Sequence, residues 1–241
     1  MTLFQCCGIT LELHPTFLLL PLLVTAQGWA DYPEYHLKGV AIELFAFVLV
    51  YICLVLHEFG HALTARRLGI PVRRIVLLPI GGMALMESIP RSPRAELLIT
   101  AAGPLVNFAI AGICYLLLGK WPANAYEVAA PTLHWVKIGN FLLVANVYLG
   151  CFNLLPVFPM DGGRVLRALL AFKFDYLHAT RWALYVARAV ALVGIVAAIW
   201  YGLFLLAALF LFILYVGKRE YEQLLMEEAQ MLPENEIPPL L

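Results

Sequence analysis

The run from Gly39 to Ala65 constrains this chain more than any other feature. It is long and apolar enough to cross a bilayer, which takes about 20 predominantly apolar residues. Yet it carries "LHEFGHALT" (Leu56–Thr64), with an acid between two histidines. Ionisable groups in a spanning helix are rare and mark function by default.

The rest of the chain has the same character. Hydrophobic residues make up 63% and charged residues 13%, against about half and a quarter in a soluble domain. The expected fold is an α-helical integral membrane protein in the lipid bilayer. Six spans are predicted: Pro15–Ala30, Gly39–Ala65, Glu96–Gly119, Leu133–Phe152, Arg181–Ile199 and Leu203–Gly217. The last two are split near Tyr201–Gly202, because one tract of that length overruns a bilayer. The net charge of zero argues against a nucleic-acid partner. The five scattered cysteines read as small core residues rather than a disulfide framework. The N-terminus has no basic region of the kind that opens a cleavable signal.

Two stretches have strand character. "GITLELH" (Gly8–His14) alternates apolar and polar residues, and Val72–Met86 is β-branched, then broken by Pro79 and Gly81–Gly82. They predict a small β-sheet on the cytoplasmic side. Residues 1–219 form the expected core, and 220–241 an acidic cytoplasmic tail. Six spans put both termini on one side. Twelve basic residues, among them Arg66, Arg67, Arg73 and Arg74, fall on that side, with Arg188 a turn or two into the fifth span. Only Lys38, Lys120 and Lys137 lie opposite. The positive-inside rule makes the termini cytoplasmic.

His57, Glu58 and His61 form an H-E-x-x-H pattern. Positions i and i+4 of a helix share a face, so the two imidazoles can converge on one zinc ion. Glu58 points elsewhere, and can reach a water held by that ion as general base. Counted from Arg66 at the interface, His61 lies about 7 Å and His57 about 14 Å into the membrane, within reach of cytosolic water. A third ligand must come from another segment. Asp161, in "NLLPVFPMDGG" (Asn153–Gly163), sits where prolines and glycines break a helix. It suits either a metal ligand or the N-cap of the next short helix. Cys53, one turn before His57, can approach the metal or simply fill core. Asn107, polar within a span, can contact substrate backbone or bond a neighbouring helix. Gly103–Pro104 suit close helix packing or a kink.

HEFGH on one helix, with N-x-x-P-x-x-P-x-D-G on a later one, resembles the site-2 protease family of intramembrane zinc metalloproteases. "AAGPLVN" (Ala101–Asn107) is similar to the G-x-x-x-N segment of that family's third helix, and "ITLELHPTF" and "LLPIGGMA" to the strands around its core. The resemblance extends to about Arg219 and is to a core without the PDZ insert, or the CBS pair, that some members carry. It implies one zinc ion per chain on His57, His61 and Asp161, with Glu58 as catalytic base. Asn153 would stabilise an oxyanion or hold substrate. The implied reaction is hydrolysis of a peptide bond within or near the transmembrane helix of a single-span regulatory protein. Two other readings stay open: a zinc transporter or sensor, and a relative that binds membrane helices without cutting them. Substrate, regulators and homo-oligomerisation are not legible in the residues.

Overall fold

The computed structural model describes residues 1–31, 36–78, 81–86, 92–123 and 135–231. Pro79, Arg91, the first residues of the expected fourth span and the end of the acidic tail lie outside the described residues. The chain forms two compact units, Met1–Pro90 with Ala101–Phe152, and Arg91–Thr100 with Asn153–Leu241.

The first unit opens with a hairpin of β1 (Thr2–Cys6) and β2 (Ile9–Leu13). Its two-residue turn, Cys7–Gly8, has φ of 52° and 71°. Left-handed values at both central positions match the twist of a hairpin, and glycine adopts them freely. β2 then pairs in parallel with β3 (Val72–Leu78), and β3 antiparallel with β4 (Gly81–Met86), giving the order β1-β2-β3-β4. A parallel pair needs a long crossover, here a 3-10 turn (Pro15–Leu18), α1 (Leu19–Asp31) and α2 (His36–Arg67). Ile9, Leu11, Ile75 and Leu77 bury one face of the sheet. Because β3 is paired on both sides, Val76 is interior, and among the described residues β4 is the free edge of the stretch.

α2 is 32 residues long, about 48 Å at 1.5 Å per residue. Its buried stripe runs Cys53, His57, His61 and Ala65 in steps of four, with Glu58 and Ala62 beside it. The helix ends in a Schellman motif. Ile70 N–H donates to Ala65 O and Gly69 N–H to Arg66 O, each at 3.0 Å, with Gly69 at φ 81°. That reversal sends the chain directly into β3. In the same unit, α3 runs on from Ala101 as part of Pro93–Leu118, and α4 is Trp135–Asn153. α4 turns Asn140, Leu143, Asn146 and Gly150 inward.

In the second unit a turn over 154–160 leads into α5 (Asp161–Leu170), then α6 (Tyr176–Trp200) and α7 (Phe204–Met231). Asp175 caps α6, accepting from the His178 amide at 3.1 Å, and this bond holds its carboxyl below the usual carboxylate range. α6 and α7 part at Gly202, φ 70°, where the tract is split on length grounds. Val157, Phe158, Ala183, Leu184, Ala187 and Ile213 form the core. Beside it Arg167 is 2% exposed and donates from Nε (2.8 Å) and Nη2 (2.5 Å) to Glu96 Oε1, its guanidinium lying over the Phe158 and Tyr176 rings. A charge that counts toward the basic side in sequence is thus spent inside the protein.

Four of the described helices are long and apolar enough to cross a membrane: α2, α3, α4 and α6. The expected first span is divided by the 3-10 turn, which leaves 13 residues in α1. The expected sixth is a short apolar stretch that runs without a break into the charged segment at Lys218, all within α7. The structure is therefore mostly helical with a small sheet, as expected, while among the described residues four helices, against the six expected, meet the length and hydropathy needed.

Two outcomes are expected. Gly69→Ala, which forces a side chain into the left-handed region, destabilises by about 1–2 kcal/mol, read as a lowered midpoint of thermal unfolding in detergent. Arg167→Ala takes from the buried Glu96 its guanidinium and costs about 3–5 kcal/mol in the same measurement.

Candidate metal centre

The fold turns the H-E-x-x-H residues inward. His57, Glu58 and His61 are 3%, 7% and 7% exposed. The imidazoles stand nearly perpendicular, at 86°, and their Nε2 atoms are 3.1 Å apart. Two donors on one tetrahedral zinc, each about 2.0–2.1 Å from it, stand about 3.3 Å apart. The pair thus has the spacing of two ligands to one ion.

Close backbone approach makes room for these rings. A methyl group on Gly103 of α3 would lie 2.2 Å from His61 Nε2 and 2.8 Å from His57 Cε1. A methyl on Gly60, within HEFGH, would lie 2.9 Å from Ala102 O. α2 and α3 therefore meet glycine to backbone, with both imidazoles against α3. Gly103 is a wall of the site as well as a packing residue. On the other flank, a methyl on Gly82 of β4 would stand 2.3 Å from Glu58 Cγ. The free edge strand and the candidate base are immediate neighbours.

Asn107, one turn beyond Gly103, is fully buried and joined to His57 Nδ1 through its Oδ1 at 2.6 Å. Its Nδ2 donates to Asn146 Oδ1 at 2.9 Å. Asn146 in turn donates to Cys53 Sγ at 3.2 Å and Leu142 O at 2.8 Å. Cys53 thus faces an amide.

Asp161 is the first residue of α5, half-buried, and the cap position belongs to Met160, which makes no side-chain cap bond. The cap role open to Asp161 in sequence is not the one it takes. As a carboxylate in the first turn it gains from the helix dipole. A methyl on Gly162 would lie 2.2 Å from both Leu154 O and Leu155 O, so "DGG" lets the helix start fold back onto the preceding turn. Asn153 ends α4 and is partly buried. His57 and His61 of the first unit and Asp161 of the second each offer one ligand atom of a kind that zinc takes. Two imidazoles and a carboxylate are the donor set of a zinc site that keeps a coordination position open. The residues fit zinc. Gly82, Gly103 and Asn146 were not anticipated as parts of this site. Of the three, Asn146 left a signal, an amide in an apolar span.

Helices of membrane-crossing length, together with this donor set, define a membrane metalloprotein. A family model described as Peptidase family M50 matches residues 45–129 and 122–194. The zinc metalloprotease MJ0392 of Methanocaldococcus jannaschii is 40% identical over 194 residues, 79% of this chain and 51% of the relative. A solved structure, the site-2 protease from Methanocaldococcus jannaschii, superposes with a TM-score of 0.64 at 33% identity, covering 92% of this chain and 94% of that one. The chain belongs to Peptidase family M50. It spans about half the length of the curated relatives it matches.

Gly103→Ala sets a methyl against both imidazoles. Its zinc content by elemental analysis is expected to fall to a small fraction of the wild-type value, while circular dichroism keeps the helical signal.

Proposed function

We propose that this chain is a zinc-dependent endopeptidase that cuts a membrane-anchored, single-span protein within or near its transmembrane helix. The observation that carries the proposal is Glu58. A buried carboxylate adjoins a pair of imidazoles at ligand spacing and lies directly under a free strand edge. The names of the relatives, zinc metalloprotease and site-2 protease, support it.

In this reading His57, His61 and Asp161 hold the zinc ion. When bound, zinc polarises the scissile carbonyl and brings the pKa of water at the site near neutrality. Glu58 takes the proton from the attacking water and hands it to the leaving nitrogen. Asn153 lends its amide to the developing oxyanion or to substrate backbone. β4 receives the unwound substrate as an added strand, so its backbone groups are paired as it leaves the helix. A proline test of this step belongs on β4, since Val76 on β3 is already paired on both sides.

We further propose that α1 and the apolar part of α7 complete six membrane segments. Both termini, the sheet and the entry to the site then face the cytoplasm, with residues 220–241 as a cytoplasmic tail. The weight of basic residues on one side supports this orientation. Zinc transport draws no support: among the described residues one acid and histidine group has metal-holding spacing, and a pathway needs a succession of them.

The test is Glu58→Gln, which keeps size and hydrogen bonding but cannot take a proton. The purified chain, reconstituted with a single-span substrate and with a chelator control, is scored for product and for metal. The variant is expected to retain zinc and lose cleavage by at least about 10²-fold. Cleavage at the wild-type rate would refute the proposed mechanism.

A further inference from the structure

The hydrogen bonds behind His57 have a direction, and it can be read from one end. The carbonyl of Leu142 can only accept, so Asn146 presents Nδ2 to it at 2.8 Å, and the same nitrogen reaches Cys53 Sγ at 3.2 Å. Asn146 Oδ1 must then face Asn107, which answers with Nδ2 at 2.9 Å. That turns Asn107 Oδ1 toward His57 Nδ1, 2.6 Å away. An amide oxygen only accepts, so the ring donates from Nδ1. A neutral imidazole with its proton on Nδ1 carries its lone pair on Nε2, the atom 3.1 Å from His61 Nε2.

We infer that Asn107 and Asn146 are positioning residues for the metal centre. Their amides form a one-way relay, oriented by the Leu142 carbonyl, that fixes the tautomer and ring angle of His57 so that Nε2 is the ligand atom. The inference rests on the metalloprotease reading only in taking zinc as the ion. Asn107 and Asn146 are 0% exposed, and Cys53 and His57 3% each, so the relay is closed to solvent. A flipped amide has no water to rescue it, and would set oxygen against oxygen at Asn146 or at Leu142. Both ends of Asn107 are engaged, which places it behind the ligand and not against substrate. A metal-bound histidine that donates its other N–H to a fixed acceptor is held at the right angle and made more basic, and loss of such an acceptor costs about 10–100-fold in metal affinity.

The experiment uses the full chain in detergent, stripped of metal, with zinc affinity measured by competition against a chelator. The visible spectrum of the cobalt-loaded protein reports ligand geometry, and unfolding of the metal-free protein reports the fold. Asn107→Leu is expected to weaken zinc binding about 10–100-fold and to alter the cobalt spectrum. Asn146→Val leaves every contact of His57 except the orientation of Asn107, and is expected to weaken binding in the same direction. Asn107→Asp keeps an oxygen acceptor in place toward the His57 Nδ1–H. It is expected to restore affinity and spectrum close to wild type. Should Asn107→Leu not fold, Asn107→Ala takes its place. Wild-type affinity and spectrum in both the Asn107 and Asn146 variants would overturn the relay, as would an equal loss in Asn107→Asp. No substrate enters these measurements. A wild-type chain that binds zinc and cuts nothing would therefore sink the protease reading and leave the relay standing.

Discussion

The constraint on which the structure depends is the cost of a polar group in hydrocarbon. Three ionisable side chains on α2 are buried in a helix long and apolar enough to cross a membrane, where each unmet polar group costs several kcal/mol. They lie on and beside one buried stripe, and the facing elements supply room for them and, for His57, a polar partner. The four-residue step Cys53, His57, His61, Ala65 makes the stripe. Gly103 and Asn107, also four apart, answer it from α3, and Asn146 answers from α4. The alternation is steric then polar. Glycine lets the ring in, and asparagine pairs the nitrogen that faces away from the metal position.

This explains why glycines border the site on several sides. An imidazole pair at ligand spacing is wide, and helices at ordinary contact distance would not admit it. Gly60 lets the backbone of α3 approach, Gly103 clears the rings, and Gly82 lets β4 lie on the Glu58 carboxylate. Gly162 does the corresponding service for Asp161, drawing the start of α5 against the Leu154 and Leu155 carbonyls. None of these needs an unusual backbone angle. What they supply is the absence of a side chain where a neighbour must pass.

The helical class, the H-E-x-x-H face, the break at Gly202 and the strands around Ile9 and Ile75 were legible because each rests on local pattern: apolar length, four-residue spacing, alternation. β1 was not, since all five of its residues are exposed and no buried face marks them. The role of Asp161 was ambiguous because capping and ligation ask for the same residue at the same kind of break. Gly82 and Gly103 were legible as glycines but not as walls of the site, because a glycine's use depends on what faces it from another element. Asn146 shows the limit most clearly. It stands 93 residues from Cys53 and 39 from Asn107, and only the fold brings the three together.

The same accounting extends to the proposed substrate. A transmembrane helix satisfies its own backbone, so exposing one peptide bond to attack strips several N–H and C=O groups of their partners. Unwinding is affordable only where replacements stand ready. β4 offers them, because among the described residues it is paired on one side alone and its backbone lies against Glu58. In the proposed reading, a segment that adds to this edge would be repaired by the ladder along its length and delivered beside Glu58 in the same step. The sheet and the histidine pair would then act as one device. Backbone pairing reads no side chains, so selectivity would come from how readily a helix opens, with helix-weakening glycine, proline or polar residues near the cut favoured over any particular sequence.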